Sequence, residues 1–299
     1  MINDNLTLFG EDNPTNKTKQ ESFSYSKIAL FLECPLRYKY AYKDHLRHKY
    51  QNTFYLNVGR NIHNTFKSFF AFVDSNNRNS ENLIKLLRYY WKESDFKSSD
   101  ESYYWFETVE NSLKNYLNID RAYCYKIETL EEQYFKFELD KNLLDGKIDR
   151  IDMISRNEIE LIDYKTGDFS GNTEENIKAD LQWIFYFLGS THIVIKKKSK
   201  EQEEKDDQIR SYLGEIATRK ANPSIFVKIL NKELKPSKIT FYYIVANKKI
   251  SFCPDYTEIK NATDNILRVI NQIKTTKVFK AKPNKECNSC SFYKSCNFK

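Results

Sequence analysis

Glycine is scarce in this 299-residue chain. There are seven, about a third of what an average usage of roughly 7% would supply. Glycine-built phosphate cradles need close spacing, GxGxxG for dinucleotides or GxxxxGK[ST] for nucleoside triphosphates. Gly10, Gly59, Gly146, Gly167, Gly171, Gly189 and Gly214 complete neither pattern, which argues against a Rossmann dehydrogenase and against an ATP-driven motor. Long apolar runs are missing as well. None approaches the roughly 20 residues of a membrane span, so no membrane partner is expected. The opening stretch, MINDNLTLFGEDNPTNKTKQ, is polar and lacks the apolar core of a signal peptide; residues 1–20 read as a flexible leader on a cytoplasmic protein. Six cysteines are too few for a disulfide framework in a chain of this length.

Aromatic residues, by contrast, are plentiful. With 21 Tyr, 21 Phe and 40% hydrophobic residues, the chain has ample material for a core and no signature of global disorder. The formal net charge of +7 permits a nucleic-acid partner. Cysteine spacing says more than cysteine number. Cys287, Cys290 and Cys296 form C-x2-C-x5-C near the end of the chain, and Cys34 sits in FLECPLRYKY near its beginning. Cys124 and Cys253 fall in aromatic, strand-like text and read as buried small hydrophobes.

The periodicity predicts a helix from Ser24, a possible N-cap, to Pro35, then the basic-aromatic stretch LRYKYAYK. That stretch suits either an amphipathic helix with a solvated basic face or a strand-contacting surface. A helical stripe runs over residues 58–73, with His63 beside it. Two further helices, at 81–92 and 103–118, make residues 74–120 a helical insertion. Period-two alternation then predicts strands at about 123–139, 143–154 and 158–165, with turns at Asp140-Lys141-Asn142 and Ser155-Arg156-Asn157. A helix at about 174–190 follows, and then a second insertion at about 195–236 that opens with a charge-dense run. A strand at 238–247, a short return strand and a helix at 256–275 lead to the cysteine tail. Residues 21–299 thus read as a single domain, whose order without its insertions is helix, three strands, helix, strand.

The segment GKIDRIDMISRNEIELIDYKTG, residues 146–167, carries the strongest chemical signal. If 155–157 is a hairpin turn, Asp149 and Asp163 stand opposite one another, about 4.5–5.5 Å apart at Cβ. Two such carboxylates repel unless something neutralises them. Lys165 points to the same face as Asp163, and the Tyr164 carbonyl lies between them. Two carboxylates, a carbonyl and waters suit Mg²⁺ or Mn²⁺; the alternative is a solvated salt-bridge ladder. By themselves, Gln182 and Tyr186, one helical turn apart, read as polar side chains at a core boundary, and His63, alone on an apolar helix, as a packed core residue.

Taken together, GKIDRID, LIDYKTG, the upstream GRNIH, the downstream Gln182-x3-Tyr186 and the cysteine arrangement resemble the PD-(D/E)XK nuclease superfamily, specifically its RecB-like branch. The likeness spans about residues 24–299. It implies an α/β fold with a mixed central sheet flanked by helices. It also implies Asp149 and Asp163 as metal ligands, with His63 and the Tyr164 carbonyl beside them, Lys165 as the catalytic lysine, and Gln182 and Tyr186 as orienting residues. Glu131 or Glu132 matches an acidic position of some relatives. Cys34, Cys287, Cys290 and Cys296 resemble the set that holds a 4Fe-4S cluster in the AddB nuclease domain and in the CRISPR-associated spacer-acquisition nuclease; four thiolates also suit Zn²⁺. The implied activity is a Mg²⁺- or Mn²⁺-dependent DNA nuclease, foremost a single-stranded DNA exonuclease in recombination or repair end processing. A spacer-acquisition nuclease and a non-catalytic nucleic-acid-binding module are the alternatives. The implied partners are single-stranded DNA or DNA ends, together with a separate helicase or CRISPR adaptation proteins.

Overall fold

The computed structural model describes residues 20–46, 54–119, 129–155, 157–167, 169–195, 198–217 and 235–296. Most of the expected leader, the start of the first expected strand with Cys124, Arg156 of the second turn, and residues 218–234 of the second insertion lie outside these segments.

Alternating apolar residues build the centre of the fold. Strands β2 (Thr129–Leu139) and β3 (Asn142–Met153) pair antiparallel. They are joined through Asp140 and Lys141, whose φ angles of 46° and 59° suit the tight hairpin turn that matches strand twist. β4 (Glu158–Lys165) returns antiparallel to β3 with Arg150 opposite Ile162, the register expected for a turn at 155–157. β5 (Lys235–Tyr243) runs parallel to β4, and β6 (Lys248–Phe252) turns back along β5. A short β1 (Ser22–Phe23) lies parallel to β3 at Leu143 and Leu144. The result is a mixed sheet flanked by helices.

β2 occupies one edge of β3 along nearly its whole length. The other edge is shared, by β1 at Leu143–Leu144 and by β4 from Arg150 onward. Between these contacts the sheet forks, and Asp149 stands at the mouth of the fork.

Two hydrophobic cores lie on the two faces, and β4 feeds both: Ile159 and Leu161 enter one, Ile162 and Tyr164 the other. The first core takes α1 (Tyr25–Glu33), α7 (Gln182–Gly189) and α9 (Tyr256–Thr275). The second takes α3 (Phe54–Phe72), α4 (Ser80–Tyr90), α5 (Ser99–Ile119) and α8 (Lys200–Leu213). α7 seats closely because Gly146 of β3 and Gly189 both face the buried Phe135 ring. A Cβ added at either glycine would stand 2.4 Å from that ring.

Several expectations change in detail. Ser24 caps α1, accepting from Lys27 N–H, but Pro35 opens a second helix, α2 (Pro35–Tyr38); a residue without an N–H costs nothing at a first helical position. The helix expected at 174–190 is two, α6 (Glu174–Ala179) and α7, because the backbone turns extended at Asp180. The strand expected at 238–247 stops at Tyr243. Cys253 is exposed, since the alternation that buries Phe252 turns its successor outward. In LRYKYAYK the rings serve packing, with Tyr38 on Phe31 and Phe279 and Tyr40 on Phe292. The cations are paired, Arg37 with Glu33, Lys39 with Asp44 and Lys43 with Glu21, so this stretch offers little free positive charge to a strand. Among the described residues no helix is long and apolar enough to cross a membrane.

Candidate active site

Asp149 and Asp163 come from adjoining strands just beyond the last rung of the β3–β4 ladder, and both are buried. The Tyr164 N–H donates to Asp149 Oδ2 at 3.2 Å. Because the N–H and C=O of one strand residue point to the same edge, the Tyr164 carbonyl also faces the fork. From α3, His63 Nδ1 approaches Asp149 Oδ2 to 3.4 Å. Burial raises the Asp149 carboxyl, but the His63 hydrogen bond and charge and the Tyr164 N–H outweigh it and hold the group below its ordinary value. Burial lowers the His63 imidazole, yet Asp149 and Asp163 more than compensate and raise it.

On the other side of the fork, α7 meets Asp163. Tyr186 OH donates to Asp163 Oδ1 at 2.8 Å, and Gln182 Nε2 donates to the same oxygen at 2.8 Å. Gln182 Oε1 accepts a short hydrogen bond from Lys165, so one amide side chain bridges carboxylate and ammonium. Lys165 Nζ lies 2.8 Å from Asp163 Oδ2 as an ion pair, and that buried oxygen has no further hydrogen-bond partner. Burial, reinforced by the Asp149 charge, raises the Asp163 carboxyl despite Lys165 and Tyr186. Burial lowers the Lys165 ammonium, but Asp163 outweighs it and the group stays above its ordinary value.

A divalent cation fits this donor set. A buried carboxylate oxygen lacks a hydrogen bond, a second carboxylate adjoins it, and the reluctance of Asp163 to ionise is the cost a cation would offset. Among the described residues no three His, Cys, Asp or Glu side chains already converge as a metal cage.

The same holds for the cysteines. Cys34, Cys287, Cys290 and Cys296 line one cavity of about 40 Å³, but do not stand as a preassembled metal cluster. Two sulfurs are turned toward backbone donors, Cys34 Sγ to Lys282 N–H at 3.4 Å and Cys287 Sγ to Asn284 N–H at 3.3 Å. Such N–H···S contacts are the kind that tune thiolate-held clusters. The donor set therefore fits a thiolate-bound metal group.

Glu131 and Glu132 take different roles. Glu132 binds Lys67 of α3 and Lys147 of β3, both at 2.7 Å. Glu131 faces the wholly buried Arg150, at 3.9 Å. Sequence reasoning missed the Arg150 cluster. Its guanidinium binds Asp152 through two nitrogens, donates to Tyr116 OH at 2.6 Å and Tyr164 OH at 3.2 Å, and lies over the Phe70 ring. Asp149 and Arg150 are adjacent, as are Tyr164 and its flanking Asp163 and Lys165, so this cluster pins the back of the fork. Also missed was Tyr25, whose hydroxyl donates to Asp180 at 2.8 Å while Asp180 accepts from Gln182 N–H at 2.7 Å. An Asp two residues ahead of a helical Gln was the available signal for the second contact; nothing local pointed to Tyr25.

Together these features define an α/β protein with a carboxylate pair and a lysine at the fork where two sheet strands part. The PD-(D/E)XK nuclease superfamily pattern matches residues 22–297, and the chain belongs to that superfamily, which implies a metal-dependent nuclease. No curated protein matches the chain.

Proposed function

We propose that this protein is a Mg²⁺- or Mn²⁺-dependent deoxyribonuclease of the RecB-like branch, acting as an exonuclease on single-stranded DNA in recombination or repair end processing. The observation that carries the reading is the bridge made by Gln182 between Asp163 and Lys165, with His63 and Asp149 across the fork. His63, Asp149, Asp163 and the Tyr164 carbonyl would hold the cation. When bound, it supplies a Lewis acid that favours hydroxide over water and neutralises phosphate charge.

The remaining work falls to the chain. Lys165 keeps its proton because Asp163 stabilises it. It therefore serves as a fixed cation for the charge that grows on the attacked phosphate, rather than as a base. Gln182 and Tyr186 hold Asp163 Oδ1, and Oδ2, beside Lys165, is the oxygen that would meet the cation. Incubation of end-labelled linear single strands with Mn²⁺ tests this reading. Wild type should degrade them, spare circular strands, and lose activity on Asp163→Ala; equal cutting by the variant would remove the assignment.

The cysteines belong to the same proposal. Four thiols around one cavity support a 4Fe-4S cluster that clips Cys34 to the 287–296 segment, with Zn²⁺ as the other thiolate-held choice. Anaerobically purified protein should be brown and should bleach on Cys290→Ala; colourless protein with stoichiometric zinc would assign the site to zinc.

A further inference from the structure

The charge of the molecule is unevenly distributed. Residues 274–296 hold six lysines, at 274, 277, 280, 282, 285 and 294, against the single acid Glu286, so this segment supplies +5 of the net +7. It leaves α9, crosses α1 and α2 as an extended strap as far as Asn284, and ends in two 3-10 turns, Lys285–Ser289 and Tyr293–Ser295. Phe279 packs on Phe31 and Tyr38 with ring centroids 6.3 and 6.1 Å away, and Leu36 N–H donates to the Lys280 carbonyl at 3.2 Å.

Two of the lysines are committed to this anchoring. Lys282 donates to the Leu32 carbonyl at 2.9 Å, and Lys274 to Asn142 Oδ1. The side chains of Lys277, Lys280, Lys285 and Lys294 are exposed and form no ion pair among the described residues. Elsewhere the lysines Lys178, Lys205 and Lys260 each have a carboxylate partner, whereas Lys200, Lys248 and Lys249 form no ion pair among the described residues but are not gathered on one segment. Between the strap's free cations stand Val278, 72% exposed, and Tyr293, 40% exposed. Unneutralised ammonium groups interleaved with an exposed ring fit a polyanion that also presents flat, unstacked faces, as a single nucleic-acid strand does.

Position agrees with chemistry. Tyr25, at the start of α1, touches Asp180 at the head of α7, while Leu32, near the other end of α1, holds Lys282. The nine residues of α1 are about 14 Å long, so the strap and the head of α7 lie within reach of one short stretch of strand. We propose that the 277–294 strap is the track along which the backbone of a single strand lies as it approaches the active site. The proposal rests on the nuclease reading above and adds to it the surface that holds the substrate.

The test is the salt dependence of binding of fluorescein-labelled dT20, read by anisotropy in buffer free of divalent metal, where no strand is cut. The variant is Lys277→Ala/Lys280→Ala/Lys285→Ala. The control, Lys200→Ala/Lys248→Ala/Lys249→Ala, removes the same charge from exposed positions on α8 and β6. Each lost phosphate contact lowers the slope of log K against log salt by about 0.7 on single strands. The strap variant should therefore lose about 2 from its slope, and the control should match wild type. An unchanged slope in the strap variant, or an equal fall in both variants, overturns the track while leaving the nuclease reading in place. Wild type that binds no single strand overturns both.

Discussion

The Tyr164 amide donates to the Asp149 carboxylate at 3.2 Å, at the position where the next rung of the β3–β4 ladder would lie. A side chain from one strand thus satisfies the backbone of the other, and the sheet opens without leaving that N–H unpaired. Asp149 is aimed by the backbone itself, so its orientation does not wait on a cation.

His63→Ala should weaken divalent-metal binding at least about tenfold. Mn²⁺ should raise the melting temperature of wild type, and the shift should shrink in the variant. A full-sized shift would remove His63 from the ligand set.

Gln182→Ala removes the amide that joins Asp163 to Lys165 while leaving both in place. The misalignment should lower kcat on single-stranded DNA about 10²-fold, with KM and melting temperature close to wild type. A change confined to KM would make Gln182 a strand-binding residue instead.

Glu132 supplies the pH dependence. Burial raises its carboxyl, but Lys147 and Lys67 outweigh burial and hold it below the ordinary glutamate value. A depressed carboxyl stabilises the fold above the unfolded-state value and loses that contribution as pH falls through the folded-state one. Glu132→Gln should therefore cost about 1–3 kcal/mol at neutral pH, and the gap should close on acidification. Melting curves from pH 8 to pH 3 check the sign.

Arg150→Leu should destabilise by about 3–5 kcal/mol, because Asp152 would remain buried without its cation. Arg150→Leu/Asp152→Leu should recover part of the loss in urea melts. If the double variant equals the single, the tyrosine contacts of Arg150 carry the cost.

What was legible in the sequence was local. Alternation around residues 155–157 gives the β3–β4 register, since a hairpin forces residues equidistant from its turn to face each other. The spacing of Gln182 and Tyr186 likewise places both on one face of a helix. Contacts between distant segments were legible only where a family motif marked them, as for His63 and Asp149. Tyr25 meets Asp180 across 155 positions, and Arg150 meets Tyr116 across 34, and no periodicity encodes either. The interleaved rings of residues 36–43 were ambiguous for the same reason: whether a tyrosine packs or projects depends on what the rest of the chain brings to it, and here that is Phe279 and Phe292.

The Phe135 ring held between Gly146 and Gly189 constrains how this protein can change over generations. Neither glycine can gain a methyl group while the ring remains, yet a smaller residue at 135 would open room for both. Substitutions at these three positions are therefore contingent on order. The ring must shrink before either glycine can grow, and a lineage that has taken the second step cannot easily reverse the first.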